Sequence, residues 1–184
     1  MPKIIDHEAR RREIFEGSLA LFSQHGFSGL GMRQLAAALG VSTGSLYHYF
    51  PNKSDLFEGM LRHLATGHVA QAIEAIGSLD EPKLRLEAVR AFIVSQADRI
   101  RAVLWVAIDY RRAMGEAGEA LVSDVFGVYE AGIAEYLTEG DRERARAMLS
   151  YVMGALVHSG LAASPADIEG TLKAVDKLAL PGAR

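Results

Sequence analysis

The stretch GVSTGSLYHYFPNK, Gly40 to Lys53, decides how this chain is read. Gly40 is the residue type that ends a helix in the left-handed conformation. Ser42 suits the N-cap of a following helix, because its hydroxyl can accept from a free backbone N–H. Leu46 and Phe50, four apart, fall on one side of that helix and call for a core. Thr43, Gly44, Tyr47 and His48 fall on the other side. This outer face is small at its N-terminal end, then aromatic and hydrogen-bonding, so it can approach phosphates and base edges closely. Pro51 stops the helix and Asn52 can cap the next. Just upstream, Gly31 to Leu39 reads as one short helix with Met32, Leu35, Ala36 and Leu39 on a single stripe. Helix, glycine-containing turn, helix is the helix-turn-helix pattern, whose second helix reads the major groove.

Residues 11–56, about a quarter of the chain, resemble the N-terminal domain of the tetracycline-repressor (TetR) family of bacterial transcriptional regulators. The matching residues are Ile14, Ala20-Leu21-Phe22, Gly26-Phe27, Met32-Arg33-Gln34-Leu35-Ala36, Gly40-Val41-Ser42, Gly44, Leu46-Tyr47-His48-Tyr49-Phe50, Lys53 and Leu56. The resemblance implies that Tyr47, His48, Tyr49 and Lys53 contact phosphates, and that Ser42, Thr43 and Ser45 approach bases or backbone; Gly44, on the same outer face, joins them as a candidate DNA-binding residue. Arg33 on the preceding helix could reach DNA or make a plain surface ion pair. One position departs from the family pattern: Gly31 stands where a Thr or Ser hydroxyl usually caps the first helix of the motif. Glycine caps only somewhat less well, so the fold is expected to survive while one hydroxyl contact is lost.

Composition neither demands nor forbids nucleic acid. The net charge is −3, and residues 1–57 carry six Lys+Arg against five Asp+Glu, so the DNA assignment rests on motif and placement. The Arg10-Arg11-Arg12 run is equally consistent with a DNA-flanking patch and a solvated helix face. The absence of cysteine excludes disulfides and suits a reducing cytoplasm. MPKIIDHEARRRE has no apolar signal core. Residues 147–166 carry no Asp, Glu, Lys or Arg, but Gly154, Gly160, His158 and Pro165 favour a buried helix and turn over a membrane span.

Apolar residues recur at helical spacing throughout, without strand-like alternation, so the expected class is all-α with about nine helices. They fall near 8–25, 31–39, 42–50, 53–76, 81–96, 99–114 with Asp98 as cap, 119–138, 142–161, and from Ser164-Pro165 to 178. The expected division is a DNA-binding domain over 1–51 and an effector-binding and dimerisation domain over 52–184. The helix at 142–161 is apolar nearly all round, from Ala147 to Val157, and calls for cover on every side. A second copy supplies it, with the helices at 142–161 and 165–178 pairing in a homodimer, as the resemblance also implies.

Trp105, Asp109 and Arg112 share one flank of the sixth helix. With Phe92, Gln96, Phe126 and Tyr129 they could line an effector cavity, or be ordinary core and a surface ion pair. His63 and His68 are five apart and no HxxxH or HExxH spacing occurs, so no metal or other cofactor is expected. No phosphate loop or nucleophile elbow supports an enzyme. The expected function is a cytoplasmic, ligand-responsive regulator, a repressor that binds a palindromic operator as a homodimer until a small molecule releases it. The alternative is a helical small-molecule-binding or enzymatic protein that kept a helix-turn-helix.

Overall fold

The computed structural model describes residues 6–161 and 168–173. Among them the elements are α1 (His7–His25), α2 (Met32–Ala38), α3 (Thr43–Tyr49), α4 (Lys53–Ile76), α5 (Pro82–Ser95), α6 (Ala97–Met114), α7 (Glu116–Leu137), α8 (Arg142–Leu161) and α9 (Ile168–Lys173), with no strand. Helix ends follow local chemistry. The Asp6 carboxylate accepts from the N–H groups of Glu8 and Ala9, both at 3.0 Å, and this bonding lowers its pKa. Asp141 accepts from Arg144 N–H at 3.0 Å to start α8. Asp98 is not a cap: α6 begins one residue earlier, because the Gln96 carbonyl accepts from Ile100 N–H at 2.9 Å and makes the join with α5 tight. α7 begins at Glu116 instead of Glu119, because Gly115 at φ 59° makes the whole turn. The helix start expected at Ser164-Pro165 lies outside the described residues.

The chain forms two compact units, and the division does not fall at 51/52. One comprises residues 1–64 and 102–123, the other 65–101 and 124–184, so α4, α6 and α7 contribute to both. The reason for the first unit's extent is burial. Leu56, Phe57, Met60 and Leu61 of α4 are fully buried and complete the core around Leu35, Leu46 and Phe50 of the helix-turn-helix. Phe57 stacks on Tyr110 of α6 at 4.4 Å, and Phe22 and Phe27 meet these rings edge-on.

Tyr110 is wholly buried, and its hydroxyl donates to Glu58 Oε1 at 2.9 Å. Burial, then the Glu58 carboxylate, push the phenol up to about 12. A raised folded-state value contributes stability that is complete below the unfolded value near 10 and is lost as pH rises through about 12. Tyr110→Phe should therefore flatten the fall in stability between those limits and cost about 1–2 kcal/mol at neutral pH. Denaturant unfolding at neutral and alkaline pH measures both effects.

In the second unit, Leu86, Met148, Ala155 and Leu172 form the core, with Ile93, Ile133, Leu137 and Val152 packed on it. Gly132 lets α7 approach α4: a Cβ there would lie 2.9 Å from Val69 Cγ1. Arg101 donates to the Ser159 hydroxyl at 3.0 Å, joining α6 to α8.

Candidate nucleic-acid interface and ligand cavity

The turn into α3 is set by Gly40 at φ 66° and by Val41 N–H, which donates to the Ala36 carbonyl at 3.0 Å. Ser42 caps α3, its hydroxyl accepting from Ser45 N–H at 3.0 Å. With Leu46 wholly buried and Phe50 almost so, the helix cannot roll, and the opposite face is fixed outward. On that face Ser42, Gly44, Tyr47 and His48 are exposed, Tyr47 at 48%, and Thr43 and Ser45 are half-buried. Arg33 on α2 is exposed as well. α2 starts at Gly31 without a side-chain cap, but Gln34 Oε1 accepts from Gly31 N–H at 2.8 Å and supplies half of a capping box.

Two expected DNA contacts are engaged elsewhere. Lys53 does not share the open surface of Tyr47 and His48. Its ammonium donates to the Phe27 and Leu30 carbonyls at 2.7 and 2.8 Å and lies 4.2 Å from the Phe27 ring centre; burial lowers its pKa. It ties α4 to the α1–α2 turn, a use that helical spacing could not reveal because the two carbonyls lie more than twenty residues away. Tyr49 is half-buried, with its hydroxyl 3.1 Å from His7 Nδ1. The arginine run divides. Arg11 donates to the Tyr49 carbonyl at 3.1 Å and covers the Phe50 ring, Arg10 pairs with Glu13, and Arg12 is exposed. His7 and Arg11 thus hold the C-terminal end of the reading helix, and the sequence reading missed both roles. The signal available was only their place on the first turns of α1.

The second unit contains a cavity of about 120 Å³ with an almost wholly apolar wall. It is lined from α4, α5, α7, α8 and α9, and by Ile100 alone from α6. Of the expected effector residues, Phe92 and Tyr129 line it, and Gln96 and Phe126 do not. Trp105, Asp109 and Arg112 are corrected more strongly, since they belong to the first unit. Trp105 is 37% exposed and Arg112 is exposed, while Asp109 accepts from Phe27 N–H at 2.7 Å and so fixes the turn after α1. Shared flank on a helix does not say which neighbour that flank meets. The missed lining residues include His68, Arg90 and Tyr136. His68 is 4% exposed, with Nδ1 2.9 Å from the Tyr129 hydroxyl.

Residues 14–60 match the model of the bacterial regulatory proteins of the tetR family. Residues 14–60 are a TetR-family DNA-binding domain. Along 182 residues, 94% of this chain and 92% of the relative, it is 28% identical to the HTH-type transcriptional regulator BetI of Paraburkholderia phymatum. The regulator of the same name from Yersinia pestis is 31% identical over 112 residues, 58% of this chain, so that match spans about half of the relative's length, 56%. Two solved structures share the fold. The multidrug binding protein EbrR complexed with malachite green superposes with TM-score 0.72 at 21% identity, covering 94% of this chain and 99% of that one. A protein from Saccharomonospora viridis in complex with choline gives TM-score 0.73 at 15% identity, covering 92% and 95%.

Within the TetR family frame, α2 and α3 are the DNA-binding motif of a transcriptional regulator. No described helix is long and apolar enough to cross a membrane, and no group of three His, Asp or Glu among the described residues could hold a metal ion.

Proposed function

We propose that this chain represses transcription by binding a palindromic operator as a homodimer, and that a small molecule in the second unit's cavity releases it. The outward face of α3 carries the reading: Thr43, Gly44, Tyr47 and His48 stand opposite a fully buried Leu46. Small residues at the N-terminal end can enter the groove, and the aromatic hydroxyl and imidazole further on can meet phosphates. The α8 stripe Ala147, Ser150, Gly154, His158 and Leu161 is exposed and available to a second copy. The two neighbours solved with malachite green and choline support an effector role for the cavity. α4 carries Leu56 and Phe57 in one unit and His68 to Ile76 in the other, so occupancy of the cavity can act on α3 through a continuous helix. Operator and effector then weaken each other by the same factor.

Selection of sites from random DNA, followed by gel shift at several salt concentrations, tests the DNA reading. Tyr47→Phe should weaken binding to all sequences alike, by about 3–10-fold for one lost phosphate hydrogen bond. Thr43→Ala should instead relax preference at one base position in each half-site. An unchanged consensus and affinity for both variants, or only weak and sequence-blind binding by the parent chain, would sink the assignment and favour a protein with a vestigial motif.

A further inference from the structure

The chemistry of the cavity wall restricts what can occupy it, provided that it is the effector site proposed above. Arg90 is the one formally charged side chain among the described lining residues, and no Asp or Glu is among them. A ligand cation would leave water without meeting a carboxylate. Phe92, Tyr129 and Tyr136 could offer cation–π attraction, but this recovers only part of what desolvating a charge costs. Most of the wall is aliphatic: Val69, Ile73, Val89 and Ile133 among others. Such a surface favours apolar matter and charges a penalty for every unpaired polar group.

One polar feature breaks the wall. Tyr129 and His68 stand 2.9 Å apart within it, and burial raises the Tyr129 phenol, which therefore keeps its proton. A phenolic hydroxyl has one donor and two acceptor positions. The bond to His68 fixes the hydroxyl and uses one of the three, leaving capacity for the polar group of a ligand. An apolar cavity of about 150 Å³ can hold a benzene ring, and the cavity here, about 120 Å³, is of that order.

We propose that the cavity takes an uncharged, mainly apolar molecule of about one ring's bulk, carrying a single hydrogen-bonding group that the Tyr129 hydroxyl anchors. The scaffold sets the charge selectivity: a wall without carboxylates rejects organic cations, and a ligand carboxylate would bury its own charge against aliphatic bulk and an Arg90 guanidinium that is already engaged. His68 is a positioning residue, acting through Tyr129.

Calorimetric titration of the intact protein with toluene, benzyl alcohol, benzylammonium and benzoate at neutral pH isolates these terms, since the ring is constant and only the head group changes. Benzyl alcohol should bind at least about tenfold more tightly than either ion and about 3–10-fold more tightly than toluene. Tyr129→Phe, checked for folding by circular dichroism, should remove the preference for benzyl alcohol over toluene and leave toluene affinity unchanged. Tighter or equal binding of benzylammonium or benzoate overturns the charge argument in the parent protein, without recourse to any variant. Equal losses of toluene and benzyl alcohol in Tyr129→Phe overturn the anchor, and failure of all four to bind at millimolar concentration overturns the proposal. Operator release is read in parallel by gel shift. Benzyl alcohol that binds but never releases DNA defeats the effector reading and leaves the cavity chemistry standing. Release driven best by benzylammonium does the reverse.

Discussion

Gly29→Ala is expected to cost the protein about 3 kcal/mol, lowering the melting temperature by about 6–12 °C. A Cβ at Gly29 would lie 2.1 Å from the carbonyl oxygen of His25 and 3.2 Å from its carbonyl carbon. Both atoms are backbone at the end of α1, so no side-chain rotation relieves the clash and the turn itself must move. That turn is heavily committed. It delivers Phe27 into the aromatic core, presents its N–H to Asp109, and offers the Phe27 and Leu30 carbonyls to the Lys53 ammonium. Overpacking alone costs about 1–3 kcal/mol, and loosening hydrogen bonds to charged groups adds to it. The matched control is Gly44→Ala on α3, where no heavy atom lies within 4 Å of the added Cβ. There the change should be neutral or stabilise by about 0.5–1 kcal/mol, because alanine loses less entropy in a helix. Thermal and denaturant unfolding compare the two. Equal stability of Gly29→Ala and the parent would show that the turn is not strained by a Cβ.

Helix positions were legible because each rests on signals within a few residues. Gly40, Ser42 and Pro51 bracket α3, and Leu46 and Phe50 orient it, without help from the rest of the chain. α4 was readable over its full length, Lys53 to Ile76, from a repeat of three and four. The failures have a common cause, which is that long-range partners leave no periodic trace. Asp109 reads as one half of a surface pair with Arg112 until Phe27 N–H, eighty-two residues away, is seen to be its partner. Lys53 reads as a phosphate contact until two carbonyls claim its ammonium.

The cavity shows the same limit. Phe92 and Tyr129 could be picked because buried aromatics at helical spacing often line pockets, but Trp105 met that criterion equally well and lies in the other unit. What separates them is the assignment of α6 to units. Only Ile100 from its first turns lines the cavity, and the residues from Ala102 onward pack with the helix-turn-helix unit. His68 was noticed in the sequence only as a poor metal-ligand candidate. Its burial beside Tyr129 gives it a different use, which depends on α4 and α7 coming close at Gly132.

Gly154→Arg is expected to convert the proposed homodimer to a monomer and to weaken operator binding at least about a hundredfold. α8 reads from sequence as apolar all round, but in the single chain it has two distinct faces. Ala145, Met148, Leu149, Ala155, Leu156 and Ser159 are buried, while Ala147, Ser150, Gly154, His158 and Leu161 are exposed, Leu161 at 71%. The exposed residues recur at three and four, so they form one straight stripe, and all but His158 and Leu161 are small. A stripe of that kind lets two helices approach closely in a four-helix arrangement. An added Cβ at Gly154 meets nothing within 4 Å, so the substitution leaves the chain's own packing alone. It also replaces glycine by a better helix former, which favours α8 by up to about 1 kcal/mol. The cost falls entirely on association: a guanidinium in a small-residue contact must either be desolvated unpaired or hold the helices apart. Losing about 3 kcal/mol of association energy raises the dissociation constant about 150-fold. A monomer also forfeits the second half-site, whose linkage to the first is worth about a hundred- to ten-thousandfold in affinity. Sedimentation at micromolar concentration, with circular dichroism to confirm an unchanged helix content, reads the assembly, and gel shift reads the operator. A dimer that survives Gly154→Arg would move the interface off this stripe, and a parent protein that is monomeric at that concentration would remove the homodimer altogether.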